Sequence, residues 1–221
     1  MKADSKAELE GARIASGLVP IANLVGDSEM DTKLLRKMSK EAKRYIDSFS
    51  WCKAVLNSYF GGGVGGIFAV FFFHIQPSRR GISPWIWIMV GDIPPAYLPL
   101  DDCHSPAEAF KTYILAMSNW VEFARKGRTG SARQGVPPVS VPATPEWAEL
   151  LNQRLYGLTI AVKPLFQDEE DEVLDRVGLG ALNGRDSARI LAALGGIAPH
   201  FPKIPRRKVS EKRPSGKNRP N

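Results

Sequence analysis

Two short stretches, Ile67–Ile75 and Trp85–Val90, are apolar at both alternating positions. Successive strand residues point to opposite faces of a sheet. The first stretch places Ile67, Ala69, Phe71 and Phe73 on one face and Phe68, Val70 and Phe72 on the other. Neither face tolerates water, so these segments predict strands covered on both sides. Gln76–Gly81 is rich in turn formers, which makes the pair a hairpin with a longish loop. Pro94-Pro95 cannot donate ladder hydrogen bonds, so the chain beyond Asp92 lies at an edge or leaves the sheet. Ala96–Leu98 suits a further short strand.

The flanking segments carry helical periodicity. Met38, Ala42, Tyr45 and Phe49 share one face of an amphipathic helix that begins at Asp31 as N-cap; Trp51, Val55 and Tyr59 extend the pattern to Gly61. Cys52 falls inside this stretch. Ser105-Pro106-Ala107-Glu108 is a helix start with a capping serine, a first-turn proline and a capping-box glutamate. Phe110, Tyr113, Ile114, Met117, Trp120 and Val121 form the stripe behind it, and Gly127 stops it. Thr144-Pro145-Glu146 opens another helix, lined by Trp147, Leu150, Leu151, Leu155 and Leu158. Val139–Val141 suits an additional strand. An acidic run, Asp168–Glu172, leads into short helices that end near Gly195-Gly196.

These elements predict an α+β fold: a small, mainly antiparallel sheet packed by helices over 31–60, 106–126 and 145–163. The expected organisation is a weakly structured N-terminal segment (1–27), a single α+β domain (28–198) and a disordered basic tail (199–221). Residues 203–221 hold eight Lys/Arg and one acid, which equals the whole net charge of +7. The preceding 202 residues hold 22 groups of each sign. A neutral body argues against a broad basic face for nucleic acid. The tail, through Arg206, Arg207, Lys208, Lys212 and Arg213, is the candidate contact for nucleic acid or an acidic partner. It has no interleaved aromatics for base stacking.

The longest unbroken apolar run is the seven residues Ile67–Phe73, against about 20 for a bilayer-spanning helix. Met1-Lys2 leads into charged residues, so no signal peptide is expected. Two cysteines, Cys52 and Cys103, form no disulfide framework and suit a reducing cytosol.

Chemistry-bearing patterns are few. Gly61, Gly63 and Gly66 satisfy G-x-G-x-x-G, but a dinucleotide fingerprint needs a strand before and a helix after. Here a helix precedes and a strand follows, which reads as a structural turn. Asp92, Asp101, Asp102 and His104 are the candidate catalytic or metal-binding cluster, since carboxylates and an imidazole support acid–base or divalent-cation chemistry. Their spacing fits no specific metal motif, and acids before a helix start favour its dipole. His74 suits a hydrogen-bonded rim residue, Trp85 and Trp87 suit core, and Arg79–Arg80 suit a solvated hairpin tip. No cofactor is expected. The leading expectation is a non-enzymatic cytosolic protein that binds another macromolecule, such as an adaptor or immunity-type inhibitor. The alternatives are an enzyme or nucleotide-binding protein using the residue 92–104 cluster, and a nucleic-acid-associated protein acting through the tail.

Overall fold

The computed structural model describes residues 2–100, 103–131, 136–137 and 139–162. Its element order is α1 (Lys2–Ser16), β1 (Val19–Pro20), a 3₁₀ turn (Ile21–Asn23), α2 (Glu29–Asp47), β2 (Cys52–Val64), β3 (Phe68–Pro77), β4 (Trp85–Gly91), β5 (Ala96–Pro99), α3 (Pro106–Arg125) and α4 (Pro145–Val162). The strands form one antiparallel five-stranded meander in sequence order. The fold is therefore α+β, as the sequence predicts.

The central hairpin has the expected two-sided burial. Phe71 lies opposite Ile88 and Phe72 opposite Trp87. Phe68, Val70 and Phe72 join Trp85, Trp87 and Met89 in a core closed by residues of α1, α3 and α4. Ala69, Phe71, Phe73 and Ile75 join Ile86, Ile88 and Val90 in a second core closed by Leu35, Met38, Ala42 and Ile46 of α2. Each large side chain buried this way contributes about 1.5–3 kcal/mol.

Three sequence expectations are corrected. The helix over 31–60 stops at Asp47, and Cys52–Val64 is strand β2, so Cys52, Val55 and Tyr59 belong to the sheet. Asp31 is not the N-cap: Ser28 caps α2, accepting from the Asp31 N–H at 3.1 Å. Val139–Val141 forms no strand. Helix α1 runs unbroken through Gly11.

The glycines of the 61–66 stretch have structural work. Gly61 and Gly63 lie in β2 and Gly66 in the turn to β3, so a strand, not the expected helix, precedes; the strand that follows stands where the dinucleotide fingerprint requires a helix. Gly65 donates its N–H to Asp31 Oδ1 at 2.7 Å, and Gly66 donates to Met38 Sδ at 3.2 Å. A Cβ on Gly65 would lie 2.6 Å from Asp31 Oδ1 and 2.8 Å from Leu34 Cβ. The β2–β3 turn thus presses directly against the first turns of α2.

The later helices start as their sequences dictate. The Ser105 hydroxyl accepts from Glu108 N–H at 3.1 Å, with Pro106 in the first turn. Gly127, at φ +63°, ends α3. The polar tips of buried rings are also satisfied: Trp87 Nε1 donates to the Cys103 carbonyl at 2.9 Å, and Tyr113 Oη donates to the Pro94 carbonyl at 2.7 Å. Burial pushes the Tyr113 phenol well above its ordinary pKa, so it remains a donor.

Phe71→Ala should cost about 3–5 kcal/mol, because the ring's site is closed by strands on both sides and by α2. Chemical denaturation of the two proteins checks this. An unchanged midpoint would contradict the two-sided core.

Candidate functional site

The acidic cluster predicted over residues 92–104 is only partly within the described residues: Asp101 and Asp102 lie outside them, as does the tail with Arg206, Arg207, Lys208, Lys212 and Arg213. Asp92 follows β4, where its N–H donates to the Ile67 carbonyl at 2.9 Å. Its carboxylate accepts from Arg154 Nε of α4 at 3.0 Å, and the two side chains are 23% and 5% exposed. Such a pair ties α4 to the end of the sheet. His104 is different. Its ring is 52% exposed and lies 3.5 Å from Glu108 at the start of α3. The His104 backbone N–H also donates to Glu108, completing the cap. Asp92 and His104 therefore serve separate local structures. Among the described residues no three His, Cys, Asp or Glu side chains are placed to hold a metal ion.

The cysteines offer little nucleophilic character. Cys52 is buried, and desolvation pushes its thiol pKa up. Cys103 is buried, with its Sγ 3.4 Å from Thr112 Oγ1.

His74 occupies the rim position that its sequence context suggests. It stacks on Trp85, with ring centroids 4.2 Å apart, and its Nε2 lies 3.0 Å from Glu8 Oε1. Trp85 Nε1 donates to the other Glu8 oxygen at 3.2 Å. Gly11 lies directly over the indole, where a Cβ would meet Trp85 Cγ at 2.2 Å. This arrangement docks α1 on the sheet, and Trp85 and Trp87 are both core residues.

The sheet edges are poorly suited to accepting an added strand. β1 covers β2 only at Tyr59 and Phe60. The rest of β2 has register shifts between Cys52 and Ala54 and between Val55 and Asn57, with exposed Lys53 at the first. β5 is flanked by Pro94 and Pro95 and ends in Pro99. Bulges, lysine and proline are devices that discourage edge-to-edge pairing.

A more suggestive surface lies where α2 returns to the sheet. Phe49 stands at the centre of a ring cluster. Its centroid is 5.1 Å from Tyr45, 5.1 Å from Trp51 and 5.2 Å from Tyr97 on β5. Trp51 and Tyr97 also meet edge-on at 5.1 Å. Tyr45, Phe49 and Trp51 close the second core from outside while remaining half-buried, and Tyr97 is 39% exposed. Burial raises the Tyr45 phenol pKa, so this hydroxyl stays protonated at neutral pH. The corner was hidden in the sequence because Tyr45, Phe49 and Trp51 fit one helical stripe, whereas α2 ends at Asp47.

The chain matches no protein-family model, no curated protein and no solved structure. Among the described residues no helix is long and apolar enough to cross a membrane.

Arg154→Met should lower stability by about 3 kcal/mol, since it breaks the ion pair that joins α4 to the end of the sheet. His104→Gln should change it by less than about 0.5 kcal/mol, as expected at an exposed position. Thermal melts of both variants check the contrast. Equal losses would contradict the different roles assigned to the two residues.

Proposed function

We propose that this is a non-enzymatic protein that acts by binding another protein through the aromatic corner formed by Phe49, Trp51 and Tyr97. The observation that carries this reading is the cluster itself: packed rings held in fixed geometry yet left partly open to solvent. Tyrosine and tryptophan dominate the energetics of protein interfaces because they bury large areas with few torsions to freeze. Lys43, Arg44 and Asp47 on the last turns of α2 are exposed and supply a polar rim nearby in the chain. The ion pair of Asp92 with Arg154 and the capping role beside His104 give those residues structural tasks, which weighs against an acid–base site. An adaptor or immunity-type inhibitor is the class that fits. A cytosolic setting agrees with the two free, buried thiols, Cys52 and Cys103.

The test is affinity capture from the native host with the wild type and Tyr97→Asp, followed by reconstitution of any shared partner from purified components. Tyr97→Asp should melt close to the wild type yet weaken the reconstituted complex by at least about 30-fold, the effect of an interface hot spot. A purified partner that binds both proteins equally would overturn the assignment of the corner.

A further inference from the structure

We propose that the partner offers an acidic protein segment to this corner, an inference that rests on the binding role just assigned to it. The warrant is the charge on the loop whose backbone is hydrogen-bonded to that of Trp51. Ser78 N–H donates to the Trp51 carbonyl at 2.8 Å, which fixes the β3–β4 loop next to the aromatic cluster. That loop carries Arg79 and Arg80, both exposed. Lys53, also exposed, directly follows Cys52, whose register partner is Pro77. Among the described residues none of these three cations has an ion-pair partner. The neighbouring cations of α2 are matched instead: Lys43 by Asp47 at 2.6 Å and Arg44 by Glu41 at 3.8 Å.

One acid does face the arginine loop. Glu8 lines the same open groove as Arg79 and Arg80, but its oxygens are engaged by His74 and Trp85. The corner therefore adjoins cations that have no ion-pair partner among the described residues. Guanidinium groups bind carboxylates in a planar, two-pronged geometry, and complementary charge steers association and fixes register.

Single-stranded nucleic acid would also seek cations and rings, but it needs open ring faces for its bases. Here Phe49 meets Tyr45 at 87° and Tyr97 at 76°, and Trp51 meets Tyr97 at 63°, so the rings are largely spent on one another. Three cations at one loop and strand end also fall short of a stripe that tracks a phosphate backbone. An acidic protein segment is the better match.

The experiment selects 12-residue peptides from a random displayed library on the wild-type protein. Affinities of the synthesised winners are then measured against the wild type, Tyr97→Ala and the double variant Arg79→Glu/Arg80→Glu, each first shown to melt like the wild type. A 20-nucleotide single-stranded DNA is titrated in parallel. The winners should be rich in Asp and Glu. They should lose affinity on Tyr97→Ala, and lose about tenfold or more on the double charge reversal, with the loss shrinking as salt rises. Peptides dependent on Tyr97 but neutral, or indifferent to the charge reversal, would overturn the acidic partner while leaving the corner as a binding site. Failure to select any peptide, or peptides indifferent to Tyr97→Ala, would overturn both. DNA binding tighter than the peptides, and lost in the double variant, would assign the corner to nucleic acid.

Discussion

Strand β3 has no polar face over Phe68–Phe73, and every other layer of the protein answers to that constraint. An amphipathic strand can lie at a surface, but one that is apolar on both sides loses several kilocalories per mole if either side is left wet. α2 must therefore cross one face, and α1, α3 and α4 must close the other. Close approach follows from this requirement. The β2–β3 turn meets α2 through glycines because a side chain at Gly65 would collide with Asp31 and Leu34. Asp31 then uses its carboxylate twice, accepting from the Gly65 N–H and the Asp27 N–H. Gly11 plays the same part for α1 over Trp85.

The central hairpin, β5, α3 and α4 were legible in the sequence because their signals are local and mutually consistent. Phe68–Phe73 is apolar at both parities, and Ser105-Pro106 and Thr144-Pro145 announce helix starts. β2 was not legible, for a physical reason. Register shifts at Cys52/Ala54, Val55/Asn57 and Phe60/Gly62 break the alternation of two that identifies a strand. The spacing of Trp51, Val55 and Tyr59 then imitates a helical stripe. Ser and Asp both cap helices, so residue type does not separate Ser28 from Asp31; the observed bond from Asp31 N–H to the Ser28 hydroxyl does.

The candidate site divides in the same way. Asp92 and His104 were visible because their residue types carry chemistry, yet one is joined to Arg154 and the other sits beside a helix cap. The aromatic corner left no such mark. Phe49 and Tyr97 are 48 residues apart in the chain and meet only once α2 crosses the sheet. Core and surface are linked here: Tyr45, Phe49 and Trp51 close the second core from outside, and the exposed Tyr97 packs against Phe49 and Trp51.

The two-sided burial of β3 is tested most directly by residue-resolved native-state hydrogen exchange. Amides of Phe71 and Phe72 that bond β2 or β4 should exchange only through global unfolding, with the same denaturant dependence as the whole protein. The amides of α1, held mainly by Gly11, Glu8 and a few apolar contacts, should exchange through smaller openings. If the β3 amides exchanged through local openings while helical amides outlasted them, the strand would not be the element on which the rest of the fold depends.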